Sequence, residues 1–172
     1  LGPSEPEQDV ELIDMIVSLY RQLGLSNLKV NLNSIGDKSC RLAHREALIA
    51  YLNPLKTQLS TDSQRRLDIN PLRILDSKDP QDAGIVANAP KIIDYLNTEA
   101  RQHFETVREL LSLLHIEVAV NPLLVRGLDY YNRTVFEVTS GDLGAQNSLG
   151  GGGRYDDLVE TLGGPRLPAI GY

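Results

Sequence analysis

Two stretches of the chain carry residue types that can do chemistry. The first is Arg126-Gly127-Leu128-Asp129-Tyr130-Tyr131. A guanidinium beside a glycine, at the entry of a strand, can be presented into a cleft, where its planar fork clamps phosphate or carboxylate. The two tyrosines supply aromatic walls with hydroxyls that donate and accept hydrogen bonds. Neighbouring residues on a strand point to opposite faces, so one tyrosine of the pair should face a given pocket. The same residues also fit a plainer arrangement, with Tyr130 and Tyr131 packing a strand and Arg126 paired with an acid. The second stretch is Gly150-Gly151-Gly152-Gly153-Arg154-Tyr155-Asp156-Asp157. Glycines allow a backbone to approach a ligand closely. No Gly-Lys-Ser/Thr follows, which excludes a P-loop, and taken alone the run reads as a glycine-rich turn.

Other reactive residue types are sparse. His44, His103 and His115 are well separated and lack metal-ligand spacing, so no metal site is expected and each reads as structural or solvated. No G-x-S-x-G elbow is present. The single cysteine, Cys40, excludes an internal disulfide framework and a Cys-rich zinc site. Bases recur through the middle at Arg41, Arg45, Lys56, Arg65, Arg66 and Arg73. Arg65-Arg66 is the densest pair. Interleaved acids make a solvated face its default reading, with an RNA contact as the alternative.

Three segments must position these residues. In the first, Ser4 and Glu7 form a capping-box pattern around Pro6, and Val10, Ile13, Val17, Tyr20 and Leu23 follow at helical spacing up to Gly24. Leu28, Val30 and Leu32 then alternate as a half-buried strand, and 33–37 read as a turn. The second segment is polar and helical. It shows Leu42, Ile49 and Leu52 before Pro54, then short elements broken by Asn70-Pro71, Asp79-Pro80 and Ala89-Pro90. Asn97 or Thr98 caps a longer helix striped by Phe104, Val107, Leu111 and Leu114. In the third segment glycines and tyrosines concentrate. Residues 116–120 and 130–139 read as strands, 156–162 as a short helix and 168–172 as the start of another strand. Strands, a helical block and strands again predict an α+β sheet with a helical insertion.

Composition sets the outer bounds. A chain of 172 residues with 41% hydrophobic content can bury a core, which excludes wholesale disorder. No apolar run is long enough for a membrane helix. Together with the lone cysteine and the lack of a leader-like opening, this points to a soluble, reducing compartment. The net charge of −6 argues against a dedicated nucleic-acid binder. The acidic excess lies toward the two ends, however, so the balanced middle is the better place for such a contact.

In order and about 30 residues apart, the two motifs are far more specific than either alone. Leu124 to Glu137 and Gly152 to Asp156 resemble the two histidine-recognition motifs of the histidyl-tRNA synthetases. Leu32-Asn33-Ser34-Ile35-Gly36-Asp37, Asn70 to Asp76 and Ala89 to Leu96 resemble the same family, so the likeness runs through almost the whole chain. The resemblance implies a class II aminoacyl-tRNA synthetase: an antiparallel sheet flanked by helices and interrupted by an α-helical insertion. Residues 1–36 and 118–172 would be catalytic-domain segments and 37–117 the insertion. Arg126 would stabilise the α-phosphate during adenylation. Tyr131 and Tyr155 would contact the substrate imidazole with Tyr130 beside them, and Gly152 and Gly153 would leave room for the amino acid. The insertion's bases, Arg65 and Arg66 among them, would meet the tRNA acceptor arm. ATP with Mg2+ would be a substrate alongside histidine and its tRNA, in a cytoplasmic homodimer. The family's first two class II motifs are not found and a third would follow Tyr172, so the chain is expected to be an incomplete, inactive piece. The alternative is a regulatory paralogue that partners ATP phosphoribosyltransferase in histidine biosynthesis.

Overall fold

The computed structural model describes residues 1–124, 130–144 and 147–172. Helix α1 spans Pro6–Gln22 and buries Val10, Ile13, Ile16, Val17 and Tyr20. The expected capping box does not form. Proline is pre-organised for the first helical position, which makes Glu5 rather than Ser4 the N-cap, and no side chain caps it. Leu23 lies beyond the apolar stripe and is exposed. Past the helix end, the amides of Gly24 and Leu25 close onto the carbonyls of Arg21 and Tyr20. Strand β1, Leu28–Ser34, buries Val30 and Leu32 as the alternation predicts, and it continues through Asn33 and Ser34, where a turn was expected.

Helix α2, Lys38–Leu52, is capped by Asp37, whose carboxylate accepts from the amides of Ser39 and Cys40. Its buried face consists of Cys40, His44, Leu48 and Leu52, while Leu42 is exposed. A 3-10 turn over Asn53–Gln58 leads to α3, Thr61–Ile69, and then to the short α4, Ala83–Ala87. Helix α5, Thr98–Leu113, is capped by Asn97 and buries Ala100, His103, Phe104, Val107 and Leu111. Leu114 falls after the last helical turn and is partly exposed.

The remaining strands complete a sheet: β2 (Val118–Val120), β3 (Asn132–Ser140), β4 (Ser148–Arg154) and β5 (Ile170–Gly171), with α6 (Leu158–Thr161) between the last two. Among the described residues the strand order is β2-β1-β3-β4-β5. The β1–β2 pair is parallel and the others are antiparallel. The architecture is therefore α+β, a mostly antiparallel sheet with flanking helices, as the sequence predicts.

Among the described residues, two apolar cores form. One joins α1 and α5 to the helix-facing side of the sheet, through Ile13, Phe104, Val107, Leu32, Phe136 and Val138. The other lies within the helical block and holds Leu48, Leu52, Leu59, Leu67, Ile74 and Val86. A buried polar knot secures the second core. Asp82 accepts the amide and hydroxyl of Ser60, both at 2.8 Å, and the hydroxyls of Ser63 and Ser77, both at 2.6 Å.

Candidate functional site

The four glycines 150–153 form most of strand β4 rather than a turn. Glycine has poor strand propensity, so its presence through a strand marks close backbone approach. A Cβ on Gly153 would lie 2.5 Å from the carbonyl oxygen of Thr134 and 3.0 Å from the Tyr131 ring. One on Gly152 would lie 1.9 Å from the carbonyl oxygen of Gly171 in β5. Gly171, opposite Gly153 in the ladder, has the Tyr155 hydroxyl 2.6 Å from where its Cβ would be. Side chains here would collide with strand backbone or with the tyrosines.

Alternation along β4 separates two environments. Gly150 and Arg154 face the helices, where they meet Tyr172 and Asp9. Gly153 and Tyr155 lie on the opposite side. There Tyr130, Tyr131 and Tyr155 gather, all half-buried. Ring centroids are 4.6 Å apart for Tyr130–Tyr131, 5.8 Å for Tyr130–Tyr155 and 6.4 Å for Tyr131–Tyr155. The latter two pairs meet edge to face, a favoured aromatic geometry. Both tyrosines of the first motif thus join one cluster, where alternation predicted that only one could. They precede β3, and the ladder is irregular between Asn132 and Val135, with Arg133 at a left-handed φ of 47°. Strict alternation does not extend across such a break.

Glu137, two residues beyond Val135 on the regular part of β3, lies on the same side of the sheet. Its carboxylate accepts the Ser148 hydroxyl at 2.8 Å. It lies within the first motif, where residue type and spacing alone assign it no role. Arg126, Gly127 and Asp129 lie outside the described residues.

The helix-facing side carries a charged cluster that no local pattern announces. Arg154 and Asp9 are fully buried. The guanidinium donates to the Asp9 carboxylate at 2.8 Å from Nε, and its Nη1 donates to Asp156 at 2.9 Å. His103, on α5, contacts the other Asp9 oxygen at 2.8 Å. Burial pushes the Asp9 carboxyl up, but the hydrogen bonds from His103 and Arg154 and the guanidinium charge outweigh it and hold it below the ordinary value. The other two histidines stand apart. His44 is buried with Nε2 2.8 Å from the Pro90 carbonyl, and burial lowers its basicity. His115 is exposed at the end of α5.

On α3, Arg65 is exposed. Arg66 pairs with Asp62 at 2.6 Å and donates to the Arg73 carbonyl at 2.9 Å. The pair is therefore unequal, with Arg65 exposed and Arg66 held within the helical block.

Comparison with known proteins follows the same lines. A family model described as histidyl-tRNA synthetase matches residues 1–172. The histidine–tRNA ligase of Protochlamydia amoebophila (strain UWE25) is 60% identical over 172 residues, which is 100% of this chain and 41% of that protein. Among solved structures, apo histidyl-tRNA synthetase of S. aureus is similar with a TM-score of 0.76 and 35% identity, over 98% of this chain and 41% of that one. A Bacillus halodurans protein described as an ATP phosphoribosyltransferase regulatory subunit/histidyl-tRNA synthetase matches at a TM-score of 0.60 and 22% identity, over 98% of this chain and 48% of that one, a likeness of fold alone. The chain spans about 40% of the length of the curated relatives it matches.

Proposed function

The chain belongs to the histidyl-tRNA synthetase family, and from that premise we propose that it is the central part of the catalytic domain of a histidine–tRNA ligase. The reaction joins histidine to the α-phosphate of ATP, releases pyrophosphate, and passes the histidyl group to its tRNA. The observation that carries this reading is the gathering of Tyr130, Tyr131 and Tyr155 over Gly153 and Gly171. Neutral histidine presents a flat ring with one nitrogen that donates and one that accepts. Tyrosine hydroxyls serve either nitrogen, and their rings wall the imidazole. In this reading Tyr131 and Tyr155 contact the imidazole and Tyr130 completes the wall. Gly152 keeps β5 close to β4, and Gly153 lets the Tyr131 ring lie against the sheet.

Adenylation places extra negative charge on phosphorus, and Arg126 supplies the fixed positive partner. ATP enters with Mg2+ as a substrate. Residues 1–36 and 118–172 are the catalytic segments and 37–117 the helical insertion; the part of it around Leu48, Leu67 and Val86 has a core of its own, while α5 packs with α1 and the sheet. Arg65 and Arg66 on that insertion meet the tRNA acceptor arm. The complete enzyme acts as a cytoplasmic homodimer. A regulatory paralogue has only a likeness of fold on its side, whereas the relative at 60% identity is a ligase.

The test is histidine-dependent ATP–pyrophosphate exchange by the complete enzyme containing this chain. Arg126→Ala should slow adenylation by about 10²–10³-fold, roughly 3–4 kcal/mol, with little change in histidine affinity. Arg126→Lys should recover only part of the rate, because a point charge replaces a planar fork. Tyr155→Phe should raise the histidine KM first. Absence of any histidine-dependent exchange in the wild type would turn the reading toward the regulatory paralogue.

A further inference from the structure

We infer that Asp9 and His103 are positioning residues for histidine binding, holding Tyr155 through Arg154 from the far side of the sheet. The inference rests on the reading that Tyr155 contacts the substrate.

Arg154 is the last residue of β4 and Tyr155 the next. Every guanidinium nitrogen is occupied. Nε and Nη2 reach one Asp9 oxygen at 2.8 and 2.6 Å. Nη1 reaches Asp156 at 2.9 Å and the Pro3 carbonyl at 3.5 Å, and Nη2 the Glu5 carbonyl at 3.1 Å. Tyr155 is thus flanked by two residues whose side chains are joined to each other. Its own amide donates to the Ala169 carbonyl at 2.7 Å, and the Ala169 amide donates to Asp156 at 3.0 Å. With residues 154 and 156 tied and the amide fixed, the direction of the Tyr155 side chain is set by the backbone between them.

Asp9 is the hub of this arrangement. One oxygen takes Arg154 and the other takes His103, so α1 and α5 both bear on β4 through a single carboxylate. The His103 Nδ1 faces the Arg133 guanidinium at 3.5 Å, which assigns the ring proton to Nε2, where it points at Asp9. Arg133 in turn pairs with the exposed Glu99 at the start of α5. Removing one partner of a buried ion pair leaves the other charge without its counterpart, so the Asp9 carboxylate is what keeps the Arg154 guanidinium where it lies. A binding group must be held within about 0.5 Å to act, and supporting hydrogen bonds provide that precision.

The experiment uses the complete enzyme and compares Asp9→Asn, His103→Leu, His103→Gln and Tyr155→Phe. Histidine KM, ATP KM and kcat at saturating histidine are measured beside thermal unfolding. Asp9→Asn and His103→Leu should each raise the histidine KM about tenfold, with ATP KM unchanged and kcat within about threefold. His103→Gln keeps an N–H near the position of Nε2 and should return the KM to within about twofold of wild type. If Asp9→Asn does not fold, the Leu and Gln pair at 103 decides. Lowered stability with an unchanged histidine KM would make the cluster merely structural and overturn the inference, provided Tyr155→Phe raises that KM. An unchanged KM in Tyr155→Phe would instead remove the underlying reading, and the inference with it.

Discussion

Replacing Asp82 should loosen the helical block by an amount that its partners define. The carboxylate is fully buried and accepts four hydrogen bonds, from the Ser60 amide and from the hydroxyls of Ser60, Ser63 and Ser77. Burial pushes the carboxyl up, but the Ser60 amide and the three hydroxyls more than offset it and bring it from 3.8 to about 2. That depression corresponds to about 2 kcal/mol favouring the folded, ionised form. Asp82→Asn should therefore cost about 2 kcal/mol at pH 7. Asp82→Ala leaves a buried amide and three hydroxyls without their acceptor and should cost about 3–5 kcal/mol. The pH dependence has a definite sign. A folded-state value below the unfolded one gives stability that is complete above about pH 4 and is lost as pH falls through 2. The gap between wild type and Asp82→Asn should accordingly narrow by about 2 kcal/mol over that window. Hydrogen exchange of the α3 amides, among them Gln64 bonded to the Ser60 carbonyl at 2.9 Å, reads this opening directly. Protection within about 1 kcal/mol of wild type in Asp82→Ala at pH 7, or a gap that stays constant down to pH 2, would refute the reasoning.

Gly153→Ala places a methyl against the Thr134 carbonyl and the Tyr131 ring. It should destabilise the fold by about 1–3 kcal/mol in urea titration, and should raise the histidine KM more than the ATP KM in the complete enzyme. Arg65→Ala should weaken tRNA binding and reduce the salt slope by about 0.9 for one duplex phosphate contact, measured by titration at several salt concentrations. Arg66→Ala should do less, because its guanidinium is already engaged by Asp62 and Arg73. Equal effects from the two would contradict the inequality seen on α3.

Local periodicity was enough to find the helices ending near Gly24 and beginning at Asn97, the strand from Leu28 and the long strand before Ser140, because burial of one face leaves its period in the sequence. The family was legible too, from two motifs whose residues and order are rarely met together. What sequence alone could not tell lies in contacts between distant residues. Asp9 and Arg154 are 145 positions apart and meet because the sheet order puts β4 beneath α1. Glycines 150–153 looked like a turn because their reason for being a strand, the backbones of β3 and β5 on either side, is supplied by other segments. Likewise Leu23, Leu42 and Leu114 kept a helical spacing yet stand exposed, since periodicity marks a face but not where its partner ends. The convergence of Tyr130, Tyr131 and Tyr155 needed the irregular start of β3 beside the end of β4, a juxtaposition that exists only once the sheet is assembled.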